Sequence, residues 1–164
     1  LVFLNFHTLE ESIMALEWLK QRFNEVSTGL KAEVSKLKNK SFLEATVAGC
    51  VIVAHADGVV KPEEKQKMMG FLRNSEVLSI FSTEEIIVLF DKYAKQFEFD
   101  YQIGQANALQ VVAKLKSKPD EARLMVRVCC AIGASDGNFD DNEKMAVRNI
   151  CNELGLNPKD FDLT

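Results

Sequence analysis

Two short stretches of this chain carry the residue types that hold hard cations. Asp57-Gly58 is followed by Glu63 and Glu64, and Asp136-Gly137-Asn138 is followed by Asp140 and Glu143, so each copy places a glutamate seven positions after its aspartate. Ca²⁺, Mg²⁺ and Mn²⁺ prefer carboxylate and carbonyl oxygens, and glycine lets the backbone turn closely enough to add an oxygen of its own. A helix hairpin would gather Asp57, Glu63 and Glu64 into one oxygen cluster and Asp136, Asp140 and Glu143 into another. A metal-free reading covers much of the same pattern. Asp-Gly is a common helix stop, acidic residues at helix starts stabilise by about 0.3–1 kcal/mol each, and Asp140 with Glu143 is an ordinary capping box. Capping does not explain why aspartate, glycine and glutamate return at one spacing, so both readings stand. The second loop is the stronger cation candidate because it has more carboxylates, whereas Lys61 weakens the first. Neither loop is an EF-hand: counting from Asp136, the sixth residue is Asp141 instead of glycine and the twelfth is Val147 instead of glutamate.

Other reactive side chains form no recognisable constellation. Cys50, Cys129, Cys130 and Cys151 make no C-x-x-C pair, and each is embedded among apolar residues, as core thiols of a reducing compartment are. His7 and His55 are the two histidines. A single histidine without a second nitrogen or sulfur ligand is a weak metal signal, so His55 is expected to be a partly buried polar group. No activated serine and no phosphate-cradling glycine loop is present, and no enzymatic activity is expected.

The elements that position these residues read as helices throughout. In 164 residues there are only three prolines and eight glycines, too little punctuation for a sheet with many turns. Thr8 and Glu11 box a first segment over 8–39, whose second half has only Leu30, Val34 and Leu37 to bury. A helix over 41–56 buries Leu43, Val47, Cys50, Val51 and Ala54 and stops at Asp57-Gly58. Pro62 opens the next helix, and Ser82 with Glu85 opens a third. Another runs over 100–116 with Ile103, Leu109, Val112 and Leu115 inward. Pro119 restarts the chain, Asp140 and Glu143 box the last long helix, and Gly155 closes it.

Aligning Asp57 with Asp136 sets an offset of 79 residues. At that offset Val47 meets Val126, Cys50 meets Cys129, Gly58 meets Gly137, Glu64 meets Glu143 and Lys65 meets Lys144. Counting the aspartates, six of the nineteen positions from 47 to 65 are identical, where average residue usage gives about one by chance. The expected fold is therefore all-α: one compact domain over 1–164, of about seven to nine helices, with two pseudo-symmetric helix–acidic loop–helix repeats and residues 1–40 as an N-terminal helical extension. The formal charge of −4 offers no field for a phosphate backbone, so nucleic acid is not an expected partner. The apolar run over 45–54 is about half a bilayer span, and residues 1–6 lack the basic start and cleavage site of a signal peptide. A cytoplasmic protein without a membrane span is expected.

Several of these residues resemble the TerB family of tellurite-resistance proteins. The likeness rests on Ala56-Asp57-Gly58, on Pro62-Glu63-Glu64-Lys65-Gln66-Lys67-Met68 and Phe71-Leu72-Arg73, on residues 97–100, and on Ser135-Asp136-Gly137-Asn138-Phe139-Asp140-Asp141-Asn142-Glu143-Lys144. It spans roughly residues 20–163 and leaves the preceding stretch outside. The resemblance implies a helical domain with an acidic face proposed to hold divalent cations, and a role in bacterial responses to tellurite and other stresses. It further implies the company of TerC-like membrane proteins and TerD-like calcium-binding proteins, with peripheral association at the inner membrane. Similar domains are fused in certain membrane-anchored co-chaperones, so a metal-free adaptor is one alternative, and a hydrolase with a carboxylate-bridged dinuclear site is another.

Overall fold

A computed structural model describes residues 29–32, 34, 39–58, 62–75, 78–134 and 139–163, apart from the side chains of Glu64 and Lys67. Within these residues every regular element is helical. Helix α1 spans Lys40–Ala54, α2 Pro62–Asn74, α3 Thr83–Phe99, α4 Tyr101–Ala113, α5 Pro119–Gly133 and α6 Asp141–Leu154, with 3₁₀ turns at Lys114–Ser117 and Pro158–Phe161. Residues 29–32 and 34 are helical as well, and of these Leu30 and Val34 are buried. The rest of the boxed segment over 8–39, including Leu37 and His7, lies outside the described residues.

Helix α1 is the axis of the fold because it has almost no polar face. From Phe42 to Val53 only Glu44 escapes burial, and a helix that is apolar all round is stable only when other helices cover every side. Helices α2 to α6 all pack on it. Thr46 tolerates this position because its hydroxyl donates to the carbonyl of Phe42, 2.8 Å away. Asn39 caps the start by accepting from the Ser41 amide at 2.9 Å.

Helices α2, α3, α5 and α6 begin where their sequence signals place them. Ser82 accepts from the Glu85 amide at 3.1 Å, Asp100 from Ile103 at 3.0 Å and Asp140 from Glu143 at 2.8 Å. Gly58 at φ 79° follows α1, and Gly155 at φ 70° ends α6, both in the left-handed region that glycine enters without steric cost. Two expectations are corrected. The helix expected over 100–116 ends at Ala113 and tightens into a 3₁₀ turn. Ile103 points outward at 48% exposure, while Gly104, Ala108 and Val112 of the same helix face the core.

The offset of 79 recurs in the element bounds: α1 shifted by 79 gives the bounds of α5, and the start of α2 gives the start of α6. Packing does not repeat in the same way. Helix α6 lies against α1, whereas among the described residues α2 makes no comparable contact with α5. No described helix is long and apolar enough to cross a membrane.

Candidate functional site

The two acidic loops sit at helix ends whose local chemistry is now visible. The first leaves α1 through His55, the C-cap residue. His55 is only 1% exposed, more deeply buried than its sequence context implies. Its ring stacks on Phe97 with centroids 4.7 Å apart, its Nδ1–H donates to the Val51 carbonyl at 2.8 Å, and its own carbonyl accepts from the Tyr101 hydroxyl at 2.7 Å. Asp57, two residues on, is exposed and lies close enough to Tyr101 that, after burial, its charge helps raise the phenol above its ordinary range. Glu63 is exposed in the first turn of α2. The side chain of Glu64 lies outside the described residues, as does Lys61.

In the second loop Asp136 also lies outside the described residues. Asp140 is exposed and commits Oδ1 to the Glu143 amide, and Glu143 is half-buried within the first turn of α6. The structure thus brings Asp140 and Glu143 together as a helix cap. Among the described residues no group of three or more His, Cys, Asp or Glu side chains converges as a ligand set.

A second polar centre was not legible in the sequence. Tyr93 on α3 donates a short hydrogen bond to Oε1 of Glu44 on α1, and Lys92 Nζ approaches the same oxygen at 3.5 Å. The phenol, opposed by burial and helped by Lys92, holds the Glu44 carboxyl below its usual range. Burial and the neighbouring carboxylate push Tyr93 well above its own. Beside them runs an open groove of about 260 Å³ lined by Lys40, Leu43, Glu44, Glu85, Val88 and Leu89. Residues 44 and 93 share no local spacing signal, so only the tertiary fold reveals the pair.

The cysteines are core thiols, as their apolar surroundings imply. Cys50, Cys129 and Cys151 are buried, and Cys130 is partly so. Cys50 and Cys129, matched by the 79-residue offset, touch at 3.9 Å between sulfurs. Their equivalence was legible in that alignment, whereas their contact comes from the way the two helices cross. The hydrogen bond to Cys50 and burial raise Cys129 well above the ordinary thiol range, and burial raises Cys151 to about 11.

Comparison with known proteins places both acidic loops inside one family profile, described as "Tellurite resistance protein TerB", which matches residues 43–164. A tellurium resistance protein TerB of an Alcaligenes species is 44% identical over 99 residues, covering 60% of this chain and 81% of that protein. No solved structure matches.

Proposed function

Because this chain belongs to the TerB family, we propose that it serves tellurite resistance as a helical interaction module whose acidic loops take up a divalent cation. The observation that carries this reading is the extent of the family match, which includes both Asp-Gly-x5-Glu loops in a chain whose helix bounds recur at the same offset. The donor types suit a hard cation, Ca²⁺, Mg²⁺ or Mn²⁺. The cap at α6 uses only Oδ1 of Asp140, which leaves Oδ2 for an ion. Asp136, Asp140 and Glu143 form the principal site in this proposal, and Asp57, Glu63 and Glu64 the weaker one. Binding would present a less negative face to protein partners, such as TerC-like membrane proteins or TerD-like proteins, at the inner face of the membrane.

Calorimetric titration of the chain with Ca²⁺, Mg²⁺, Mn²⁺ and Zn²⁺ tests the cation. Saturable binding by a hard ion is expected, lost in Asp136→Ala/Glu143→Ala, with a rise in melting temperature that a chelator reverses. At a free ion concentration 100 times Kd the stabilisation is about 2.7 kcal/mol. A melt unchanged by ion and chelator alike would leave the metal-free adaptor in its place.

A further inference from the structure

We propose that the sulfur atoms of Cys50, Cys129 and Met125 form a binding site for one soft, thiophilic divalent cation at the α1–α5 contact, separate from the acidic loops. Cys129 is the hub. Its Sγ lies 3.9 Å from Cys50 Sγ and 3.6 Å from Met125 Sδ, with the Thr46 carbonyl at 3.8 Å. Three sulfurs bound about 2.3 Å from a central ion in a plane stand about 4 Å apart, and the two separations from the hub fit two edges of such a triangle. The third donor is a thioether, which is why the cluster does not depend on a third cysteine, histidine or carboxylate.

The backbone supports this approach. A Cβ on Gly49 would stand 3.0 Å from Cys129 Sγ and 3.4 Å from Met125 Sδ, so glycine is what lets α1 come so near the sulfurs of α5. Charge selects the ion. Binding follows M²⁺ + 2 Cys–SH → M(S–Cys)₂ + 2 H⁺, with the protons passing to water and the two thiolates neutralising the cation. A neutral complex suits a core of buried Val47, Val126 and Ile150, where an uncompensated charge is costly. A monovalent ion would reach neutrality by displacing one proton only, M⁺ + 2 Cys–SH → M(S–Cys)(HS–Cys) + H⁺, so release of two protons per ion marks the divalent case. Thiolate and thioether donors are soft and select against Ca²⁺ and Mg²⁺. The hydrogen bond to Cys50 and burial hold the Cys129 thiol above its ordinary range, and because loading releases two protons it strengthens as pH rises.

The test uses the full chain, reduced, with Cd²⁺ as probe. Binding is followed by sulfur-to-cadmium charge-transfer absorbance, which carboxylates do not give, both in the native protein and on refolding with the ion present. The expected result is saturation at one Cd²⁺ per chain with two protons released. Cys50→Ala and Cys129→Ala should each abolish the band, and Met125→Leu, which keeps the core volume, should weaken binding at least about tenfold. Cys130→Ala/Cys151→Ala and the acidic-loop variant should bind as wild type. Absence of the band in both wild-type preparations overturns the proposal. So does its survival in Cys50→Ala, its loss in Cys130→Ala/Cys151→Ala, or an unchanged affinity in Met125→Leu.

Discussion

At the scale of single residues, the Tyr93–Glu44 contact is a polar link between α3 and α1. Tyr93→Phe leaves Glu44 without its principal donor while keeping the ring in place, and a loss of about 1.5–3 kcal/mol is expected in urea unfolding, the range for hydrogen bonds to a charged group. The pH dependence follows from the two displaced groups. Glu44 is lowered on folding, so its contribution is complete above its ordinary value of 4.5 and is lost as pH falls through the lower folded value. Tyr93 is raised, so its contribution holds below its ordinary value of 10.0 and is lost as pH climbs beyond it. Stability measured against pH should therefore fall off at both ends less steeply in Tyr93→Phe than in wild type. Equal slopes in the two proteins would count against the pair. The Asp140 cap is the opposite case, since it acts on the Glu143 amide only three residues on. Asp140→Ala should cost about 1 kcal/mol by the same unfolding measurement.

Among elements, α3 and α4 approach each other closely at Gly104. A Cβ added at Gly104 would lie 2.6 Å from both Cα and N of Phe97, backbone atoms that cannot turn aside. Gly104→Ala should therefore force the hairpin apart and lower stability by about 1–3 kcal/mol, visible as an earlier urea midpoint. If the midpoint stays in place, the two helices are not so tightly joined. This contact also shows why periodicity placed Ile103 inward. Counting apolar residues gives glycine no weight, yet Gly104, Ala108 and Val112 form the stripe that reaches the core, and their small size draws the neighbouring helix in over them. Helix starts were legible because Ser82, Pro62 and Asp140 act within one turn of themselves. The shift from α4 to a 3₁₀ turn at Lys114 carries no glycine or proline, and nothing local announced it.

For the molecule as a whole, a largely apolar α1 surrounded by its neighbours makes thiol chemistry a report on opening. Three of the four cysteines are buried and Cys151 titrates near 11, so little thiolate is present at neutral pH. A thiol reagent should label Cys50, Cys129 and Cys151 slowly in the native chain and all four cysteines at once in denaturant, with native rates rising as urea approaches the midpoint. Rapid native labelling of Cys50 would contradict the packing. Helical class, the doubled motif and the family were all readable from Asp57, Asp136 and the sparse glycines and prolines. The partners of Glu44 and the sulfur cluster were not, because contacts between distant positions depend on how helices cross.

The anchorage of His55 governs what the first acidic loop is able to do. With its ring sandwiched onto Phe97 and its carbonyl tethered by Tyr101, the residue behaves as a fixed post. The Gly58 amide donates back to the same His55 carbonyl at 3.1 Å, so an ion or a partner arriving at Asp57 meets a short arm on a rigid mount.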